Sequence, residues 1–194
     1  MTDSSINRVD SHIDSYKKEL IQKINEIDNR VMYEIITLLE SASENRNEIY
    51  IIGNGGSAAT AAHMVNDFGV GLRIKGKLNL KICCLTDNIP TITATSNDIS
   101  YDDIFLSQLK GVIKSGDILL AISCSGNSPN IIKAAQYAKT QNAKIVALTG
   151  FDGGELYNLS DIQYHIATDK GKYGIVEDMH LVFDHIIYEY FLKK

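Results

Sequence analysis

Residues 117–131 read DILLAISCSGNSPNI. Ile118 to Ile122 form a short apolar run with no polar alternation, the pattern of a parallel strand covered on both faces. A bend with three serines, a glycine and an asparagine follows. Pro129 then stands where a helix takes proline at its first position, with Ser128 placed to cap it. Strand, polar bend and helix make up half of a parallel crossover unit. The bend is rich in hydroxyls, so its expected occupant accepts many hydrogen bonds.

The same unit recurs on both sides. Residues 47–60, NEIYIIGNGGSAAT, give a short strand, a Gly-rich turn and a helical pattern from Ser57 to about Phe68. Next come a strand at Leu80–Leu85 and helical material from Pro90 to Val112. After the quoted strand, a helix is expected at Ser128–Gln141, then the strand AKIVALTG, a small DGGEL turn and a last strand near IQYHIA. A long helix from about Gly174 to Leu192 closes the chain. At the other end, Ile13, Tyr16, Leu20, Ile21, Ile24 and Ile27, then Val31, Ile35, Leu38 and Leu39, recur at helical spacing with a break near IDNR. The predicted fold is therefore α/β: a doubly wound, five-stranded parallel sheet flanked by helices, in one domain. N-terminal helices fill 1–46, and the α/β core with its terminal helix fills 47–194. Ligands of such sheets bind outside the carboxyl ends of the strands.

Composition narrows the function classes. Of 194 residues, 44% are hydrophobic and 22% charged, the balance of a soluble globular protein. A net charge of −5 without a Lys/Arg cluster argues against nucleic-acid binding. No apolar signal region opens the chain and no window could span a membrane, so a cytoplasmic protein without a membrane partner is expected. Cys83, Cys84 and Cys124 are too few for a disulfide framework or a four-cysteine zinc site and read as buried reduced thiols.

Two loops follow strands and carry ligand chemistry. In the first, Gly53, Gly55 and Gly56 admit a ligand close to the backbone, Asn54 tolerates the turn, and Ser57 stands where an N-cap belongs. The free N–H groups of the helix it opens favour an anion. Its spacing matches neither a P-loop nor a dinucleotide fingerprint, so no nucleotide cofactor is expected. In the second loop Ser123, Ser125 and Ser128 supply hydroxyls and Gly126 permits the bend. Both loops lack Lys and Arg, which suits a phosphate monoester held by neutral donors. Either loop alone is also what an ordinary strand-to-helix turn looks like. Two at strand ends favour phosphate.

Two helices carry titratable groups. His63 and Asp67 form an i,i+4 pair, and the last helix holds Glu177, His180 and His185. Glu177 and His185, eight residues apart, point roughly the same way. If the helices meet, His63, Asp67, Glu177 and His185 converge as a set suited to a divalent ion or to proton transfer. Each residue also has a plain structural reading, and no metal-binding sequence signature backs the set. His180 is taken as supporting or structural.

GNGGSA (53–58), HMVND (63–67), SND (96–98), SCSGNSPNIIKA (123–134), ALTGFDGGEL (147–156) and E-x7-H in the last helix resemble the SIS (sugar isomerase) domain family, over essentially the whole chain. The branch most similar is that of the phosphoheptose isomerases. The resemblance implies conversion of sedoheptulose 7-phosphate to D-glycero-D-manno-heptose 7-phosphate in a homotetramer with active sites at subunit interfaces. It implies that Ser57, Ser123, Ser125 and Ser128 hold the phosphate, with Asn54 and Asp98 seating the sugar and Gly55 and Cys124 part of the same substrate loops. Asp67 matches the general base and His185 the general acid. His63, Asp67, Glu177 and His185 match a metal site, usually zinc, one per subunit, and Glu177 also faces substrate. Three residues depart from the family pattern: Asp67 stands for a glutamate, Glu177 for a glutamine and Cys124 for a threonine. An arginine usual after the base is displaced, with Gly71 near its place and Arg73 the nearest cation. Alternative expectations are an isomerase of another sugar phosphate, or a non-catalytic scaffold similar to the protein that associates with the DnaA initiator. The presence of both Asp67 and His185 favours the enzyme.

Overall fold

The structure, a computed structural model, describes residues 3–194. Two helices, α1 (Asp3–Asn25) and α2 (Asn29–Asn45), precede the sheet. They break at Asp28, which leaves the helical region and accepts the Arg30 N–H at 2.8 Å, an N-cap that restarts the helix. There follow β1 (Glu48–Gly53), α3 (Gly56–Met64), a π-helical turn (Val65–Gly71), α4 (Leu72–Ile74) and β2 (Lys81–Cys84). The next segment holds α5 (Ile89–Asp98), a 3-10 turn (Tyr101–Asp103) and α6 (Leu106–Leu109), so the helical material expected over 90–112 is three pieces. Ser100 interrupts it, its hydroxyl accepting the Asp102 N–H at 2.9 Å. Then come β3 (Ile118–Ser123), α7 (Pro129–Thr140), β4 (Lys144–Phe151), α8 (Gly154–Leu159), β5 (Ile162–Ala167) and α9 (Tyr173–Lys193). α8 extends what the sequence read as a turn.

The five strands are all parallel, in the order β2-β1-β3-β4-β5. Their side chains alternate between two apolar cores. Ile49, Ile51, Ile118, Leu120, Ile122, Val146 and Leu148 face a core shared with α2, α3 and α9. Tyr50, Ile52, Leu119, Ala121, Ile145 and Ala147 face one shared with α6 and α7. Both faces are covered, which is why the strands read as unbroken apolar runs. Asp117, fully buried just before β3, accepts the N–H groups of Glu48 at 2.9 Å and Lys114 at 3.0 Å. It thereby pins the start of β1 against β3.

That order places the reversal of winding between β1 and β3. The chain leaves β1 toward β2 on one side and returns to β3 on the other, with Gly53 in register with Ile122. Two crossovers diverge there and open a crevice at the carboxyl ends of β1 and β3. The loops at those two ends are the Gly-rich turn and the serine bend.

Candidate active site

Asn54, Ser57, Ser123, Cys124, Ser125, Ser128, Tyr173 and Glu177 line one cavity of about 190 Å3 at this crevice. Gly53 lets α3 close on the strand: a Cβ there would stand 2.6 Å from the Ser57 carbonyl oxygen. The cap of α3 is Gly55, at φ 54° and ψ −121°, a conformation open to glycine. Ser57, expected at the cap, is instead buried in the first turn, so its hydroxyl faces the cavity and is not spent on capping. Ser128 does cap α7 ahead of Pro129, as its sequence position predicts, but makes no side-chain bond to that helix. Its hydroxyl lies 3.3 Å from that of Ser123, while Ser123 Oγ accepts the Gly126 N–H at 3.2 Å and Ser125 Oγ that of Asn127 at 3.2 Å.

The end of β4 and the start of α8 brace this bend. Gly150 N–H donates to the Cys124 carbonyl at 3.0 Å, Leu156 N–H to that of Gly126 at 2.9 Å, and Glu155 N–H to Asn127 Oδ1 at 3.0 Å. The sequence left this purpose of DGGEL unread. Asn54 is held by a reciprocal amide pair with buried Asn130, both contacts 2.9 Å, and by the Tyr101 hydroxyl at 2.9 Å. Tyr101 and Tyr173 are site residues that no motif pointed to, and Asn130, inside the quoted 123–134 stretch, was not singled out there. Burial, and then the charge of Glu177, push the Cys124 thiol up to about 11, so it stays a neutral thiol.

A second cluster lies further along the same two helices, α3 and α9, which pack together. After Met64 the helix widens into the π-helical turn, where Leu72 N–H reaches the carbonyl of Asp67 five residues back. Glycine admits that widening on both sides. A Cβ on Gly69 would stand 2.6 Å from Ile82 Cγ2, and one on Gly71 would stand 2.9 Å from the Tyr188 hydroxyl. His63, Asp67, Asp184 and His185 each bring a ligand atom within 4.8 Å of all the others. His63 Nε2 is 3.3 Å from His185 Nε2 and 3.5 Å from both Asp67 Oδ2 and Asp184 Oδ2. Asp184 is fully buried, and neither carboxylate oxygen has a hydrogen-bond partner. Burial, reinforced by the charge of Asp67, raises its carboxyl to about 8. Two imidazoles and two carboxylates, one of them buried and unsatisfied, fit a divalent cation.

His63, Asp67 and His185 therefore meet as the sequence predicts. Glu177, expected to join them, lies elsewhere: both its carboxylate oxygens are 2.7 Å from where a Gly56 Cβ would be, against the first residue of α3 and at the serine cavity. Asp184 completes the four instead. Its spacing from Val176, His180 and Ile187, all buried on one face of α9, was the available signal for a carboxylate aimed inward. Asp98, exposed at the end of α5, accepts from Asn97 at 2.7 Å and lines neither the cavity nor the cluster. No Lys or Arg lines the cavity among the described residues.

The SIS domain family model matches residues 14–150. A probable phosphoheptose isomerase of Thermoplasma acidophilum is 37% identical over 149 residues, covering 77% of this chain and 80% of that one. The phosphoheptose isomerase of Helicobacter pylori is 33% identical over 170 residues, 88% of this chain and 87% of its own. Among solved structures, a phosphoheptose isomerase from Francisella tularensis superposes with a TM-score of 0.85 at 27% identity over 100% of both chains. One from Neisseria gonorrhoeae gives 0.84 at 27% identity, over 95% of this chain and 97% of that one.

Proposed function

The chain belongs to the SIS domain family, and from that premise we propose that it isomerises sedoheptulose 7-phosphate to D-glycero-D-manno-heptose 7-phosphate. The observation that carries this reading is that a hydroxyl-lined cavity and a His/Asp cluster share α3 and α9 at the sheet's switch point. Ser57 and His63, six residues apart on α3, differ by roughly 9 Å of helix rise. A seven-carbon chain gains about 1.2 Å per bond, so a phosphate in the cavity leaves the carbonyl end near the cluster. A triose would fall short.

In this reading Ser57, Ser123, Ser125 and Ser128 bind the phosphate with the N–H groups opening α3 and α7, and Cys124 shapes the bend between them. Asn54 and Gly55 seat the sugar at the cavity's edge; Asp98, expected to join them, lines neither the cavity nor the cluster. Asp67 is the base: it takes a proton from C1 of the ketose as the double bond shifts to C1–C2, then returns a proton to C2. His185, half exposed, protonates the C2 oxygen as the enediol forms, and the proton leaving the C1 oxygen completes the aldehyde. Asp67 has one oxygen toward His63 and the other accepting from Asn66 at 2.9 Å, which fixes the carboxylate plane. A divalent ion, zinc by preference, would be held by His63, Asp67 and His185 and would supply a Lewis acid for the carbonyl and enediol oxygens.

Assembly as a homotetramer is part of the same proposal. It is supported by the exposed apolar residues Ile6, Val9, Ile13, Ile21 and Ile24 along α1. Among the described residues no helix is long and apolar enough to cross a membrane, which is compatible with a cytoplasmic enzyme.

The test is NMR of purified protein with sedoheptulose 7-phosphate. Formation of the aldose, with turnover lowered about 10²–10⁴-fold by Asp67→Asn and by His185→Gln, supports the reading. Turnover of a pentose or hexose phosphate alone would move the substrate assignment, and full activity in both variants would remove Asp67 and His185 from the chemistry.

A further inference from the structure

We propose that the divalent ion is held by His63, Asp67, Asp184 and His185, with Asp184 taking the ligand position expected of Glu177. This inference deepens the metal part of the proposed function and stands on separate measurements.

Four observations support it. Ligands 2.0–2.1 Å from a tetrahedral zinc stand roughly 3.3–3.4 Å from one another. His63 Nε2 is 3.3 Å from His185 Nε2 and 3.5 Å from an oxygen of each aspartate, while His185 Nε2 is 3.9 Å from Asp184 Oδ2. Those separations approach the edges of that tetrahedron without any rearrangement of helices.

The second observation is the state of Asp184. A carboxylate with no solvent access and no hydrogen-bond donor is strongly disfavoured as an anion unless a cation sits against it. The nearest group able to carry positive charge is His63, at 3.5 Å, and its Nε2 is also the atom facing Asp67 and His185. One imidazole proton cannot be shared among two carboxylates and a second imidazole. A divalent ion at the common focus meets all four at once.

Charge supplies the third. Two carboxylates and two neutral imidazoles carry −2, which a divalent ion balances. The fourth is the position of Glu177, whose carboxylate rests against Gly56 at the start of α3, beside the phosphate cavity. Along α9 it stands eight residues from His185, about 12 Å of rise, whereas Asp184 is its sequence neighbour. The helix that carries an acid at both levels thus presents one to the metal and the other to the phosphate end.

The experiment titrates zinc into chelator-stripped protein, by competition with a chromophoric chelator, and records the melting temperature with and without zinc. The expected wild-type result is one zinc per chain and a zinc-dependent rise in melting temperature. Asp184→Asn should weaken zinc binding by about 100-fold, the upper end of what even an outer-sphere partner is worth, and should lose that rise. Without metal, the same variant should melt at or above wild type, since it removes a buried carboxyl whose oxygens have no hydrogen-bond partner. That result would also show that it folds, and Asp184→Leu repeats the comparison with no oxygen donor at all. Glu177→Gln should leave zinc affinity within about threefold. Loss of zinc in Glu177→Gln with retention in both Asp184 variants would overturn the proposal, as would a wild-type protein that binds no zinc. None of these readouts needs turnover, so a protein that binds zinc as expected yet isomerises nothing would refute the proposed function and leave this inference standing.

Discussion

Asp184 and His185 are neighbours in sequence and opposites in environment: the side chain of one is 0% exposed and that of the other 52%. At this scale the least familiar residue is Glu177. It brings a negative charge to the serine-lined cavity, where the proposed function places the phosphate. Like charges about 4 Å apart cost roughly 1 kcal/mol even at the dielectric of water. Glu177→Gln should therefore lower KM for the sugar phosphate about fivefold, with a smaller change in kcat. Steady-state kinetics on the two proteins checks this, and an unchanged or raised KM would mean that the carboxylate turns away from bound phosphate. The loop residues were legible because their roles are local. Ser123, Ser125 and Ser128 sit in one bend, and no distant packing is needed to gather them. Asp184 went unread although its spacing from Val176, His180 and Ile187 puts it on the inward face of α9, because a charged residue in an amphipathic helix is read as surface until the partner helix is known.

Elements carry the next level of specificity. The serine bend turns on Gly126, whose φ of 62° is left-handed and where a Cβ would fall 1.9 Å from the Gly153 carbonyl oxygen. Gly126→Ala thus combines strained backbone with a collision against the bracing loop. It should cost more than about 2 kcal/mol of stability and raise KM by disordering Ser123 and Ser125. Chemical denaturation and kinetics of the variant test both consequences, and a stable variant with normal KM would show that the brace is dispensable. The π-helical turn at 65–71 belongs to the same scale. The sequence reads there as continuous helix, since the periodicity that flags a helix is insensitive to one extra residue in a turn. Ile82 and Tyr188 pack close against two glycines of that turn, a tertiary fact.

The whole molecule sets the fate of His180. It is fully buried, with Nε2 3.5 Å from the Thr149 carbonyl and Nδ1 without a partner. Burial lowers its pKa from 6.5 to about 4. Between those values the unfolded chain binds a proton that the folded chain refuses. Stability is complete above pH 6.5 and falls as pH drops toward 4, by up to about 3 kcal/mol for this group. Urea unfolding across that range should show the loss, and His180→Gln should flatten its slope. A slope unaffected by the substitution would assign the acid sensitivity to other groups.

The sequence by itself determined the α/β class, the run of crossovers, the Gly-rich and serine loops, and the pairing of His63 with Asp67. Each of these is written in contiguous residues or in a helical repeat, so local propensity and apolar periodicity suffice. Only the tertiary structure decided that β1 and β3 are neighbours, which brings the two loops to one crevice. It alone capped α3 with Gly55, freeing Ser57 for the cavity. It also sent Glu177 to the serine cavity while burying Asp184 beside His63. The physical reason is common to all three. The role of a polar side chain depends on what packs opposite it, and that is fixed by the rotation of α9 against α3 and by the order of strands.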